Sequence, residues 1–311
     1  MSNNEKDFSI IIIPDTQVLT WKDPAILFNM TKWIKENAEQ LNLQMVLHVG
    51  DVVDSGARDE EQFKVAEKAL NEIYDADIPM LLAVGNHDYD NLLSEDRSLT
   101  MFNQYFGPHI YENRPWFGGT FEEGQIENSY ATLDIAGRKF LFLSLEFGAR
   151  DEVLAWADEI MTKYHDHSVM ITTHCYMYMY GERTKVGDNH NPKDYPGATG
   201  ANDGEDLWQK SFKKHPNLLA VFSGHQITEN VSYRTDLGDH GNLVFQSFQN
   251  WQTAENCGEG RIRILNISPS KNEMTLNVFN THRQEYENTD GFQVVVPFNI
   301  KSEANLVYPM K

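Results

Sequence analysis

Three short apolar runs, FSIIIIP (8–14), LQMVLHVGD (43–51) and PMLLAVGNHD (79–88), are separated by two stretches with helical spacing. No other feature constrains the fold as much. Parallel strands need a crossover of a dozen or more residues between them, and the two intervening stretches supply one each. In DPAILFNMTKWIKENAEQL (23–41), Ile26, Met30, Trp33, Ile34 and Ala38 share one stripe. Asp23 is placed to cap that helix and Pro24 suits its first turn. DEEQFKVAEKALNEIYDAD (59–77) reads as a second amphipathic helix. Strand, helix, strand, helix, strand predicts parallel neighbours with right-handed crossovers. Runs this rich in Ile, Val and Leu predict strands buried on both faces.

Further along, SYATLDIAGRKFLFLSLE (129–146) predicts a hairpin turning near Ala136 and Gly137, and SVMITTH (168–174) another strand. Residues 175–204 turn rich in Gly, Asn, Tyr and Pro, a long loop of the kind that often lines a site. GEDLWQKSFKKH (204–215) returns to helix, and NLLAVFSGH (217–225) to strand. From 227 onward NLVFQSFQ, GRIRILNIS and EMTLNVFN alternate as β-strands do. With no linker or internal repeat, the expectation is one domain over residues 8–300, built from two packed sheets.

Composition removes several classes. No apolar run approaches the ~20 residues of a membrane span. Cys175 and Cys257 give neither a disulfide framework nor a Cys-rich zinc site. A net charge of −20 argues against coating nucleic acid or anionic lipid. The opening MSNNEKDFSI has no basic segment followed by an apolar stretch, so a cytoplasmic location is expected, although a trimmed N-terminus would look the same.

The strand ends carry the chemistry. PDTQ ends the first at Asp15 and Gln17, GDVVD the second at Asp51 and Asp54, and GNHD the third at Asn86, His87 and Asp88. Two later strands stop at His174 and His225. Taken singly, each has an ordinary explanation: an Asp after a strand caps a helix, Gly, Asn and Asp form turns, and a histidine can sit hydrogen-bonded in a core. Those explanations do not account for five such ends in one chain. Ligands of open α/β sheets bind beyond the carboxyl ends of the strands. Carboxylate, amide and imidazole groups gathered there suit one or two divalent cations of the Mn, Fe, Zn or Ni kind. Asp51 is expected to face metal, with Asp54 supporting it from behind.

In this order, D-x-Q, GDVVD, GNHD, H and GH resemble the motifs of the calcineurin-like metallophosphoesterase superfamily, over residues 15 to 225. The resemblance implies an α/β fold, a four-layer α/β/β/α sandwich of two mixed sheets flanked by helices. It implies two divalent metal ions as cofactors, manganese first, with Fe, Zn or Ni as alternatives. By the same resemblance Asp51 bridges both metals and Asp15 belongs to the first, while Asn86, His174 and His225 belong to the second. His87 is the outer catalytic histidine, and Asp88 is expected to fix its tautomer. Two positions depart from the family pattern. Gln17 stands where a histidine is common, and Ile227 occupies the second histidine position of G-H-x-H. Both changes fall on the first metal, leaving Asp15, Asp51 and the Gln17 carbonyl, with Gln226 or Gln246 as further candidates to complete it. The PDTQ opening, LWQKSFKKHPNLLAVFSGH and Gln246 are similar to a bacterial subgroup of the superfamily.

The implied activity is metal-dependent hydrolysis of a small phosphate-ester substrate by metal-activated hydroxide, with His87 as acid and charge stabiliser. Few Arg or Lys lie near the motifs, and a dianionic monoester normally wants an Arg clamp, which inclines the reading to a diester. One alternative is a degraded member that binds a phosphorylated ligand or metal without turnover. Another is a nuclease of the same superfamily, against which the acidic charge argues. Tyr176, Tyr178, Tyr180, Arg183 and Tyr195 of the long loop, with Trp208 beyond it, are expected to wall the pocket.

Overall fold

The computed structural model describes residues 6–297 apart from 92, 94, 95, 228 and 229; the end of the expected 8–300 domain therefore lies outside the described residues. The chain begins β1 (Phe8–Ile13), α1 (Gln17–Lys22), α2 (Pro24–Asn37), β2 (Leu43–His48), α3 (Glu60–Tyr74), β3 (Met80–Leu82) and α4 (Thr100–Phe106). It continues β4 (Phe117–Thr120), β5 (Ser129–Ile135), β6 (Arg138–Leu145), α5 (Asp151–Lys163), β7 (Ser168–Thr173), α6 (Gly204–Lys210) and β8 (Leu218–Ser223). The last elements are β9 (Val231–Leu237), β10 (Leu243–Gln249), β11 (Arg261–Ser268), β12 (Glu273–Asn280), β13 (Glu285–Glu287) and β14 (Val294–Pro297).

β1, β2 and β3 lie parallel, as the crossover lengths require. On its other side β1 pairs antiparallel with β11, giving the order β13–β12–β11–β1–β2–β3, with β14 on β12. The second sheet runs β4–β5–β6–β7–β8–β10–β9. Its centre, β6 to β7 to β8 to β10, is parallel, and its edges are antiparallel. Both sheets are thus mixed. The β5–β6 hairpin turns at Ala136 and Gly137, both at positive φ, as the sequence predicts.

Strand alternation builds the layers. Phe140 and Phe142 of β6 point between the sheets, where Phe8 meets Phe140 edge-on at 5.6 Å. Leu141, Leu143 and Leu145 point outward onto Val153, Leu154, Ala157 and Met161 of α5. On the far side of the first sheet, Ile26, Met30 and Ile34 of α2 pack inward with Phe63 and Ile73 of α3. Each fully buried side chain of this size contributes roughly 1.5–3 kcal/mol. The result is a four-layer α/β/β/α sandwich.

Local signals hold where they are strong. The Asp23 carboxylate accepts from the Ile26 amide at 3.4 Å, and Pro24 opens α2. α2 stops at Asn37, short of the predicted Leu41. β3 is three residues long where the apolar run predicts more: its ladder with β2 covers Met80 to Leu82, and the Ala83 amide adds one last bond to the His48 carbonyl at 2.8 Å. α1 has no counterpart among the predicted elements; it is a helix of six residues, too short to carry a period. The helix predicted over 204–215 breaks at Ser211. Among the described residues, no helix is long and apolar enough to cross a membrane.

Candidate metal centre

The parallel strands bring their carboxyl ends to one rim, and the loops there lock onto each other. Asp51 turns into left-handed backbone with φ 53°. Its carbonyl accepts from the amides of Thr16 at 3.0 Å and Gln17 at 2.9 Å, tying the exit of β1 to that of β2. Two glycines make room for carboxylates. A Cβ on Gly85 would lie 2.1 Å from Asp51 Oδ1, and one on Gly224 would lie 2.0 Å from Asp15 Oδ1. The glycines before Asn86 and His225 are therefore spaces that acidic side chains fill.

Hydrogen bonds orient the imidazoles. His174 Nδ1–H donates to the Val49 carbonyl at 2.9 Å, which turns Nε2 toward Asp51 Oδ2 at 3.1 Å and His225 Nδ1 at 3.2 Å. His225 Nε2–H donates to the His190 carbonyl at 2.9 Å, leaving Nδ1 facing inward. Carbonyl partners of this kind set the tautomer of metal-binding histidines. Ligand atoms of Asp51, His174 and His225, all buried, lie within 4.8 Å of one another.

Two buried oxygens test whether cations fit. Gln17 Oε1 and Asn86 Oδ1 both lack a hydrogen-bond partner. An orphaned buried acceptor is costly, and a bound ion is one of the few things that explains it. The charges agree. Burial lowers the His174 pKa, but the Asp51 and Asp15 charges outweigh it and raise the pKa to about 9. Burial raises the Asp51 pKa, and His174 and then His87 more than reverse this, holding the carboxyl well below its usual range. Burial first, and the Asp51 charge as a further contribution, push Asp15 up to about 7 despite His174. Burial and the His174 charge lower His225 to about 3, a neutral imidazole. Without metal, protons thus occupy a cluster of donors suited to cations.

Asp15 is held by a residue the sequence reading missed. Its Oδ2 accepts from Asn250 Nδ2 at 2.8 Å and from the His225 amide at 3.0 Å. Asn250 follows β10, whose parallel pairing with β8 carries its end to the same rim. The reading reached that strand but stopped at Gln246. Gln246 is turned elsewhere: its Oε1 accepts from the Tyr176 hydroxyl and from Arg183, both at 2.8 Å, and its amide nitrogen donates to Asp236 at 2.9 Å. The Gln226 amide nitrogen lies 4.0 Å from the Cys175 sulfur. Ile227 is partly exposed.

His87 is supported differently from the expectation. Its backbone amide donates to Asp51 Oδ1 at 2.9 Å, and its Nδ1–H donates to the Asp54 carbonyl at 2.7 Å. That bond leaves Nε2 as the ring's other nitrogen. Asp54 therefore bears on His87, through its main-chain carbonyl. Asp88, expected to fix the tautomer, is occupied with backbone. Its oxygens accept from the amides of Val52 at 2.8 Å, Val53 at 3.0 Å and Gly85 at 2.8 Å. It splints the β2 and β3 exits together. His48, near the motif, is a core imidazole between Thr16 Oγ1 and the Gly50 amide, pushed down to about 3 by burial.

The expected pocket wall divides in two. Tyr176 is buried, and Arg183 stacks 4.6 Å over the Trp208 ring while bonding Glu205 and Asp236, so these three brace the loop from beneath. Tyr180 is exposed, and Tyr178 is half-buried. Tyr195 reaches the centre, its ring 5.9 Å from His225 and 5.3 Å from Phe147.

Layers and rim together define a metal-binding α/β sandwich. The sequence model of the calcineurin-like phosphoesterase family matches residues 8–229, and the chain belongs to that family. YvnB of Bacillus subtilis (strain 168), a curated relative described as uncharacterised, is 26% identical over 293 residues. That match covers 92% of this chain but only 21% of YvnB, so the chain spans about a fifth of that relative's length. A dimetal phosphatase from Danio rerio superposes with a TM-score of 0.57 at 11% identity, covering 94% of this chain and 99% of its own. GAP50, the anchor in the inner membrane complex of Plasmodium, superposes at 0.50 with 10% identity, covering 95% and 90%. At such identities the two structures speak for the fold alone.

Proposed function

We propose that the chain hydrolyses a phosphate ester, a diester by preference, using two divalent cations of which manganese is the favoured one. The observation that carries this is the pair of unpartnered buried oxygens, Gln17 Oε1 and Asn86 Oδ1, beside the Asp51, His174 and His225 cluster. Asp51, Asn86, His174 and His225 would hold one cation, a mixed nitrogen and oxygen set suited to Mn, Fe, Zn or Ni. Asp15, Asp51 and Gln17 would hold the other through oxygens alone, a set suited to Mn²⁺ or Mg²⁺. Bound there, the cations would supply Lewis-acid charge and an activated water.

The chain's own groups do the rest. Asp54 holds His87 Nδ1–H, so Nε2 serves the substrate, steadying phosphoryl charge and passing a proton to the leaving alcohol. Asp88 and the two glycines keep the strand ends close enough for Asp51 to serve both positions. The diester preference is supported by the engagement of Arg97 and Arg183 with protein acceptors, which leaves neither guanidinium to clamp a dianion.

Gln17 and Ile227, in place of two imidazoles, favour one second reading: a protein that binds a cation and a phosphorylated ligand without turnover. Fluorogenic mono- and diesters, assayed after chelation and after Mn²⁺ is returned, separate the two. Restored turnover with the diester ahead is the expected result. Metal uptake without turnover of any ester would establish the second reading. Cleavage of single-stranded DNA above both esters would move the protein to the nucleases.

A further inference from the structure

His190 supports His225 through its main chain, the carbonyl accepting from His225 Nε2–H at 2.9 Å. His190 sits at φ 60°, a left-handed conformation disfavoured for any residue with a Cβ. That turn leaves its imidazole exposed and sets Nδ1 3.3 Å from the Tyr195 hydroxyl. The ring centres of His190 and Tyr195 lie 6.1 and 5.9 Å from that of His225. Both therefore stand at the edge of the metal centre, on a loop fixed from behind. Arg97 donates to the carbonyls of Phe147, Gly148, Ala198 and Thr199 and to the Tyr89 hydroxyl, all at 2.9 to 3.1 Å.

We propose that His190 and Tyr195 contact the alcohol half of the ester and select a hydroxylated, uncharged alcohol; the inference rests on the esterase reading. An imidazole and a phenol paired with each other keep spare donor and acceptor capacity, which suits hydroxyl groups. An anionic alcohol finds no such match. The cations of loop 175–203 are already engaged: Arg183 with Glu205 and Asp236, Lys185 with Glu182, and Lys193 with Asp203 and Asp206. Asp188 and Asp194 flank the pair and repel negative charge.

The test uses the Mn²⁺-loaded chain with glyceryl p-nitrophenyl phosphate and propyl p-nitrophenyl phosphate, which share a carbon skeleton and differ in hydroxyls. The wild-type protein is expected to favour the glyceryl ester in kcat/KM by about tenfold, the size of one or two hydrogen bonds. His190→Asn tolerates the left-handed backbone and keeps the carbonyl on His225, but its side chain is shorter. Tyr195→Phe keeps the ring against Phe147 and removes only the hydroxyl. Each is expected to shrink the preference to within about threefold, with metal content and Tm unchanged, and to weaken glycerol 3-phosphate binding about tenfold. No preference in the wild-type protein, or equal losses on both esters in the variants, overturns the inference and leaves the esterase reading standing. Absence of turnover on both esters sinks the diester reading on which the inference rests. The binding measurement then decides the rest, and absent or unchanged glycerol 3-phosphate affinity overturns this inference too.

Discussion

Asp51 is where most of the contacts around the centre meet. One oxygen accepts from the His87 amide, the other faces His174 Nε2, and its carbonyl anchors the loop carrying Gln17. Asp51→Asn keeps the shape and removes the charge that two cations would share. Metal content should fall to at most one loosely held ion per chain and activity by more than about a hundredfold; elemental analysis and ester turnover check both. His87→Ala should behave differently, keeping metal while turnover drops by roughly 10²–10⁴-fold. Loss of metal in that variant would make His87 a ligand. Asn250→Ala should weaken the first cation about tenfold, because Asp15 loses its amide support, a change read by Mn²⁺ titration.

The elements act mainly by keeping strand ends close. Gly85→Ala would drive a methyl group into Asp51 Oδ1, so it should destabilise the fold by about 1–3 kcal/mol and release metal. Denaturant unfolding with and without Mn²⁺ measures both effects. Arg97 works between elements, joining the exits of β3 and β6 to the segment at 198–199. Arg97→Leu strips its acceptors of partners and leaves buried Glu146 with Arg150 as its remaining cation, at Nε to Oε1 2.8 Å. A loss of about 2–4 kcal/mol and faster proteolysis near 195–200 are expected. An Arg97→Leu protein as stable and protease-resistant as the wild type would show that the long loop is held by its lower brace of Arg183, Gln246 and Asp236 alone.

At the scale of the whole molecule, an acidic chain with net charge −20 gathers protons where it would gather cations. His174, near 9, and Asp15, near 7, must both be deprotonated to bind metal. Raised pKa values mean that protons compete more strongly as pH falls. Mn²⁺ affinity should therefore rise about tenfold per pH unit between 7 and 9, where His174 alone releases a proton. Below pH 7 it should change by up to about a hundredfold per unit, as Asp15 joins. Titrations across pH 6 to 9 test this, and a flat profile would contradict the charge assignment.

By itself the sequence determined two packed sheets, the parallel core, the cap at Asp23, and the set of strand ends that form the rim. Those features are local: an apolar period, a capping residue and a crossover length each act within a few turns of chain. Only the tertiary structure decided which side chains support which. Asn250 reaches Asp15 across 235 positions, and the His190 carbonyl reaches His225 from a loop with no periodic pattern. Asp54 holds His87 while its neighbour in the motif, Asp88, turns back onto three amides. Arg183 and Gln246, equally polar in the sequence, meet beneath the loop and away from the rim. The direction of a side chain on a loop depends on what the rest of the fold brings within about 3 Å of it, and no local pattern carries that information.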